Sequence, residues 1–381
     1  LRAHGCLSGA SQTGLSGRLQ FNDSNGLERQ CHPVQLQKPA HFGTLAAPDL
    51  SRNLETRRTR NEVAFLGPEL QYARSASVGG ATILVAATDR QTSDLWSVPL
   101  SGGEPRQVTR DDSLRQGMAG TVPRITADGN RLIFPSERSG NLELWLKDLV
   151  TGNETRLTSG PGAKDRPAIT PDGRLVAWNQ VESEDRSLYV MDTRTGTSRR
   201  VCSDCGELVD ISPDGGSALA ISRGQLLRIG FADGQSVDIL NSPAIAPVQA
   251  SFSPDGKWVA FAAYISGEDA VQGFITPLPN PLPAEHSWMH LPGEPHHLSF
   301  AWSPDGNSVY YLSTSDGFRC LWSLALDPST KRPVNSPKVV CHFHKQSPYP
   351  WYGSWIAAAR DKIILNLSTT SSDIFIAKRP F

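Results

Sequence analysis

The sequence predicts an all-β protein built as a single β-propeller, and three observations lead to this fold class. Glycine and proline make up 61 of the 381 residues, about 16% against a usual share of about 12%, so the chain turns often. One turn sequence recurs at intervals of 41 to 50 residues, and a short apolar run follows each copy. No apolar run comes near the ~18 residues that a membrane-spanning helix needs.

The recurring turn has the form Ser/Thr-Pro-Asp-Gly, with Ala in place of Pro in the first copy. The hydroxyl of the first residue can bond the turn backbone, Pro sets φ at the second position, and Gly accepts a positive φ at the last. A turn of this kind joins two antiparallel strands. The five copies lie at residues 126–129, 170–173, 212–215, 253–256 and 303–306.

The segments after each turn predict the other strands of a repeat. Each apolar run is typical of a strand buried on both faces. About sixteen residues after the turn glycine, an aromatic residue such as Trp145, Tyr189 or Trp322 marks another strand, and a second turn such as Thr151-Gly152 leads to a last one. Four antiparallel strands in 40 to 45 residues are the pattern of a propeller blade.

Incomplete copies at residues 81–109 and 361–376 raise the predicted count, so seven four-stranded blades are favoured and six are the alternative. The last copy stops at its third strand. We therefore predict that an N-terminal strand at residues 63–66 closes the ring, which removes exposed sheet edges. The predicted propeller covers residues 61–381. Residues 1–60 lack sustained periodicity and are predicted to be a linker or poorly ordered tail.

The repeat unit Ser-Pro-Asp-Gly-x-x-apolar-Ala-aromatic, with residues 136–145 and 156–173, resembles that of the TolB-like propeller family, also called WD-repeat-like. The resemblance covers about residues 80–381. It implies protein partners at the cell envelope and a periplasmic or other extracytoplasmic location, although seven blades would depart from the six of the TolB type. Residues 321–334 also resemble C-terminal propellers of bacterial signalling proteins, either protein kinases or winged-helix regulators, which implies a sensing role.

Six cysteines are present, and one pair has a recognisable spacing. Cys202-Ser-Asp-Cys205 fits a local disulfide, half of a zinc site or a redox pair. No second C-x-x-C completes a zinc tetrad, and no thioredoxin-like pattern surrounds the motif, so a disulfide or free thiols are favoured. Cys320 and Cys341 fall on the expected third and fourth strands of one blade, where they could face each other.

A proline-rich insertion from about residue 266 to 294, with the histidines around it, is the predicted partner-contact loop. Long loops on rigid scaffolds often carry binding specificity, although a plain surface connection is the simpler interpretation. Its candidate residues are His286, Trp288, His290, His296 and His297. The later His342-Phe343-His344 alternation places both imidazoles on one strand face, where we predict that they are solvated.

Motifs for catalysis are missing from the sequence. It contains no Gly-x-Ser-x-Gly elbow, no Gly-x-Gly-x-x-Gly and no P-loop signature, so a peptidase or a nucleotide-dependent enzyme is disfavoured. A formal charge of −1 gives no basic excess for nucleic-acid binding. The segments expected to line the axis supply only Asp210 as an acid, which argues against an axial metal or cofactor.

The sequence therefore predicts a non-catalytic propeller that serves as a protein-interaction or ligand-sensing module of a signalling or envelope protein. Its partner is a protein or a small ligand, with no cofactor and no transmembrane segment in this chain. Two enzyme alternatives remain. One is a propeller with a central metal or cofactor site, as in lactonases or sugar dehydrogenases. The other is a propeller separated from a prolyl-oligopeptidase-type hydrolase.

Overall fold

The computed structural model describes residues 93–110, 122–183, 185–268, 271–279, 282, 284–292, 299–344, 348–350 and 354–369, and only the backbone of some strands elsewhere. Residues 92–369 form one compact unit. Within it, antiparallel sheets follow one another along the chain, and the strands of the first five sheets are in sequential order. This is the architecture of a β-propeller, and the all-β prediction is confirmed.

Blades 1 to 5 each contain four strands. Blade 1 consists of Arg124–Ile125, Arg131–Ser136, Glu143–Asp148 and Glu154–Arg156; blade 2 of Ala163–Ile169, Leu175–Glu182, Asp185–Asp192 and Thr197–Ser203; blade 3 of Glu207–Ile211, Ser217–Ser222, Gln225–Gly230 and Ser236–Leu240; blade 4 of Ile245–Phe252, Trp258–Ile265, Val271–Pro277 and Met289–Leu291; and blade 5 of Phe300–Trp302, Ser308–Ser313, Cys320–Ala325 and Lys338–Cys341.

Blade 6 draws its strands from two distant parts of the chain. Ile356–Ala358 pairs with Lys362–Lys378, Thr82–Pro99 lies next in the sheet, and Arg106–Gln107 pairs with Thr82–Pro99. The Leu100 N–H donates to the Asp361 carbonyl at 2.9 Å. The innermost strand of blade 6 contacts those of blades 5 and 1.

The favoured count of seven blades is therefore wrong, and the described residues form a ring of six. Parts of both incomplete copies, within residues 92–109 and 361–369, belong to the same blade, and the sequence repeat counted that blade twice. The closing strand predicted at residues 63–66 lies outside the described residues, as does the boundary predicted at residue 60. Both stay predictions.

A second unit comprises residues 1–91 and 370–381. Within it, Tyr72–Gly79 pairs antiparallel with the beginning of Thr82–Pro99, and Phe21–Asn22 pairs with Glu28–Arg29. Ser51–Asn53 runs parallel to residues 376–378. These strands are described by their backbone alone.

The recurring turns share one set of hydrogen bonds, which explains their sequence. In blade 2 the Thr170 hydroxyl donates to Asp172 Oδ1 at 2.6 Å and accepts the Leu175 N–H at 3.0 Å, while Asp172 Oδ1 accepts the Arg174 N–H at 2.9 Å. The other four turns repeat these bonds. Gly173 has φ +72°, and a Cβ there would collide with the Arg131 guanidinium of blade 1.

Apolar clusters between neighbouring sheets hold the ring together. Blade 6 packs on blade 1 through buried residues that include Leu95, Phe134 and Ile364. It packs on blade 5 through a second cluster that includes Leu321 and Ile363. Because ring closure depends on both clusters, the residues of strand 93–99 contribute to the stability of the whole circle.

Candidate functional site

The blades give the ring two faces. The Pro-Asp-Gly turns join the first and second strands of blades 1 to 5, so they lie on one face, here called the turn face. The connections into the next blade lie on the opposite one, here called the connection face. Each innermost strand therefore starts at the connection face and ends at the turn face.

The innermost strands of three successive blades each contain a β-bulge. Their pairing shifts register between Asp165 and Ala168 in blade 2, between Leu208 and Asp210 in blade 3, and between Pro247 and Gln249 in blade 4. Bulges re-aim side chains and are frequent beside functional sites. Arg166 in the first bulge has φ +48°, which is a costly conformation for a residue with a side chain.

Three consecutive charged residues of blade 2 form ion pairs, one with blade 1, one within blade 2 and one with blade 3. Lys164 binds Glu143 of blade 1, with Nζ 3.2 Å from Oε1. Asp165 binds Arg186 of blade 2 itself at 3.1 Å. Arg166 binds Glu207 of blade 3 at 2.6 Å. The start of this strand thus ties three blades together.

Lys164 and Glu143 are almost fully buried, with side chains 1% and 3% exposed. The Lys164 ammonium also donates to the backbone carbonyls of Gly160, Pro161 and Gly162 at 2.8 to 2.9 Å. The Thr158 hydroxyl donates to the second oxygen of Glu143 at 2.6 Å. Because every charged atom has a partner within the protein, this ion pair links blades 1 and 2 and leaves no group for a ligand.

Arg124 and Asp210 form the axial pair. An Nη of Arg124 in blade 1 donates to the Val209 carbonyl of blade 3 at 2.6 Å. Asp210 Oδ2 accepts the Ser251 hydroxyl at 2.8 Å and the Phe252 N–H at 2.9 Å, both from blade 4. Burial lowers the pKa of Arg124 and raises the pKa of Asp210, and the attraction between the two charges opposes both shifts.

The remaining charged residues form a mouth cluster on the connection face, defined here as Asp165, Arg166, Arg186 and Glu207. Glu207 is the most exposed, with 44% of its side chain in solvent, followed by Arg186 with 25%. Burial raises the pKa of Asp165, and the Arg186 and Arg166 guanidinium groups oppose this rise. Burial lowers the pKa of Arg166. Both signs of charge are therefore held in fixed positions where a partner can reach them.

The predicted partner-contact loop lies on the turn face, between the third and fourth strands of blade 4. Trp288 is buried and makes edge contacts with Phe261 and Phe274. His290 is exposed and lies 4.9 Å from Phe274 between ring centroids, and His286 is exposed in the short 3₁₀ helix Glu285–Ser287. Of the predicted contact residues, Trp288 is thus a packing residue. His296 and His297 lie outside the described residues.

A disulfide joins Cys202, near the end of the fourth strand of blade 2, to Cys205 in the connection to blade 3. Cys320 and Cys341 are free thiols. Cys320 lies close to Asp316, His342 and His344, and the ligand atoms of these four residues are all within 4.8 Å of one another. Among the described residues, this is the one such cluster of three or more metal-ligating side chains.

Sequence reasoning missed several of these residues. The sequence analysis finds only Asp210 as an acid on the axial segments, but the innermost strands of blades 2 and 3 begin at Ala163 and Glu207 and so also contain Asp165 and Glu207. The charged run of residues 164–166 directly before an apolar strand was the available signal. Asp316 had no distinguishing local pattern, because its partners are brought to it by strand pairing.

No helix among the described residues is long and apolar enough to cross a membrane.

Residues 113–276 match the family model of the TolB beta propeller domain. Among curated relatives, an uncharacterized peptidase of Bacillus subtilis, YuxL, is 28% identical over 195 residues, which cover 48% of this chain and 26% of that protein. The Tol-Pal system protein TolB of Francisella tularensis is 24% identical over 216 residues, covering 54% of this chain and 48% of that protein. This chain therefore spans half or less of either relative.

Solved structures show the same fold. TolB from Acinetobacter baumannii aligns with a TM-score of 0.50 and 21% identity over 79% of this chain and 63% of that one. An Agrobacterium tumefaciens protein assigned as a TolB aligns with a TM-score of 0.55 and 16% identity over 74% of this chain and 99% of that one. At these identities the likeness concerns the fold alone.

Proposed function

This chain carries a TolB-type β-propeller, and we propose that it is a non-catalytic interaction module whose binding surface is the connection face around the mouth cluster. The partner is a protein or a small ligand with charges that complement Glu207 and Arg186. In this proposal the module forms the recognition or sensing part of a larger envelope or signalling protein.

The observation that carries the proposal is the state of the acids on the innermost strands. Asp165 is bound by Arg186, Glu207 by Arg166, and Asp210 by Ser251 and the Phe252 N–H. A catalytic acid or an axial metal ligand needs a carboxylate oxygen that is available to substrate or metal. Asp165 and Asp210 are instead used to fix the geometry of the mouth, which lowers the ordering cost of binding a partner, while the partly exposed Glu207 stays open to that partner.

We further propose an extracytoplasmic location. The disulfide between Cys202 and Cys205 supports it, because structural disulfides persist mainly in oxidising compartments. The relationship to a Tol-Pal system protein points in the same direction.

The relationship to the Bacillus subtilis peptidase supports a second candidate, in which this propeller accompanies a hydrolase domain and controls access to it. Because this sequence lacks the Gly-x-Ser-x-Gly elbow, the chain itself would then supply no nucleophile. A purified chain that hydrolyses peptides would contradict both candidates.

The test is affinity capture with the full chain and two charge variants. Glu207→Gln with Arg186→Gln neutralises the exposed charges of the mouth cluster, and Arg174→Gln removes an exposed charge from the turn face as the matched control. We expect proteins enriched by the unmodified chain to be retained by the control and lost with the mouth variant. Circular dichroism melting checks that each variant is folded.

Loss of the same proteins with the turn-face control, but not with the mouth variant, would move the binding surface to the turn face. Retention by both variants would remove the mouth cluster from recognition. Either result would overturn the proposal.

A further inference from the structure

The segment directly after the fourth strand of blade 5 brings two histidines to a buried cysteine. Phe343, which lies between His342 and His344 in the sequence, has a buried side chain, and the two imidazoles lie together on the other side of the chain. Cys320 begins the third strand, and Asp316 lies in the hairpin just before it. The four side chains therefore come from the hairpin, one strand and the connection toward blade 6.

Three of the ligand atoms form a nearly equilateral triangle. His342 Nδ1 lies 3.0 Å from Asp316 Oδ2 and 3.1 Å from His344 Nε2, and His344 Nε2 lies 3.1 Å from Asp316 Oδ2. Cys320 Sγ lies 3.8 Å from His342 Nδ1. In a tetrahedral site with bonds of about 2.0–2.1 Å to nitrogen and oxygen, such atoms lie about 3.3–3.4 Å apart. The observed spacing is within a few tenths of an ångström of this value.

Hydrogen bonds alone cannot satisfy this triangle. Each imidazole nitrogen carries at most one proton in the ring plane, and the Asp316 carboxylate carries none. Two protons can satisfy at most two of the three close contacts, so the third brings two lone pairs or two N–H groups together. A cation at the centre accepts all the lone pairs at once.

We propose that Asp316, Cys320, His342 and His344 form a closed site for one divalent transition-metal ion, with Zn²⁺ as the best-fitting occupant. A thiolate, two imidazoles and a carboxylate are the ligands that Zn²⁺ takes in proteins, and four protein ligands are typical of structural sites. The role that follows is to pin the hairpin of blade 5 to the connection that leads into blade 6.

Neighbouring groups already orient the ligands. The Phe318 N–H donates to Asp316 Oδ1 at 3.2 Å, which leaves Oδ2 for the metal. The Phe318 ring lies 4.4 Å from the His344 ring between centroids. The Phe343 N–H donates to Cys320 Sγ at 3.3 Å and so orients the sulfur. Such outer contacts are the usual support of metal ligands.

The experiment titrates the full chain, stripped with a chelator and kept reduced, with Zn²⁺ alone and with Co²⁺ alone. We expect one equivalent of either ion to bind. Bound Co²⁺ should show the intense d–d absorption of a tetrahedral site and a thiolate-to-metal charge-transfer band. Zn²⁺ should raise the melting temperature.

Two variants and one control assign the ligands. His344→Ala changes a half-exposed side chain and should weaken Zn²⁺ binding by at least about 100-fold, since losing even an outer contact costs 10–100-fold. Cys320→Ser should abolish the charge-transfer band. Cys341→Ser, which changes the neighbouring free thiol, should keep it.

Three results would overturn the proposal. One is the absence of stoichiometric binding to the folded chain. Another is a charge-transfer band that is lost in Cys341→Ser and kept in Cys320→Ser. The third is a Cys320–Cys341 disulfide found by peptide mapping of the native protein. If Cys320→Ser fails to fold, the His344→Ala titration still decides the matter.

Discussion

Replacing Lys164 by Met should destabilise the propeller strongly, because it leaves a buried carboxylate without its cation. Met has a similar length but no charge, so the Glu143 carboxylate keeps only the Thr158 hydroxyl. The Pro161 carbonyl also loses its donor, whereas the Gly160 and Gly162 carbonyls keep the Asn141 amide. Removing one partner of a buried ion pair costs about 3–5 kcal/mol. For a unit of this size, each kcal/mol lowers the melting temperature by about 2–4 °C.

The assay is urea-induced unfolding of the full chain, followed by tryptophan fluorescence, with Lys147→Met as the matched control. Lys147 also pairs with a glutamate, Glu154, at 2.8 Å in blade 1, but both side chains are about one fifth exposed. We expect the control to lose less than about 1 kcal/mol, since solvent screens that pair.

A double variant separates the charge from the packing. Glu143→Gln removes the carboxylate and keeps an acceptor for Thr158. In the Lys164→Met background it should recover part of the lost free energy of unfolding, because no buried charge is then unpaired. A loss below about 1 kcal/mol for Lys164→Met, or no recovery in the double variant, would refute the reasoning.

Three further predictions concern stability. Leu95→Ala should lower the free energy of unfolding by about 2–5 kcal/mol, because it opens a cavity where blade 6 meets blade 1. Val150→Ala, at an exposed position, should leave the free energy of unfolding almost unchanged. Equal urea midpoints for the two variants would contradict ring closure by the strand that contains Leu95. Hydrogen bonds lower the pKa of Asp172, so its folded-state value lies below the unfolded one, and its stabilisation is present near neutral pH and lost as the pH falls through the folded pKa. Melting curves between about pH 7 and about pH 3 should therefore show a smaller acid loss for Asp172→Asn than for the unmodified chain. Reduction of the Cys202–Cys205 disulfide should lower the free energy of unfolding by about 2 kcal/mol. The reductant should not change the melting temperature of the Cys202→Ser variant. Zinc that binds the unmodified chain and is lost in this variant would contradict the disulfide.

The local repeat of this protein was predictable because its causes are local. Thr170, Asp172 and Gly173 make their turn with one another and with residues directly after them, so the same four-residue pattern identifies all five turns. The alternating turns and apolar runs then determine four strands per repeat. The number of blades was not predictable in this way, because residues 81–109 and 361–376 each resemble an incomplete blade and only their pairing shows that they form one.

The site residues divide in the same manner. The sequence shows the cysteine spacing of residues 202–205, and it shows that Asp210 is an acid on a segment expected to line the axis. The contacts of Lys164, Asp165 and Arg166 are not, because their partners belong to three different sheets and the innermost strands begin earlier than the apolar pattern indicates.

The sequence by itself determined that this chain is an all-β propeller with Pro-Asp-Gly turns, since hydrogen bonds between near neighbours set both the turns and the strand period. Only the tertiary structure decided that the ring has six blades and which charges are paired around the axis. It alone brought Asp316 and Cys320 to His342 and His344. These features depend on contacts between residues far apart in the chain, and ring closure and strand register, rather than local pattern, set such contacts.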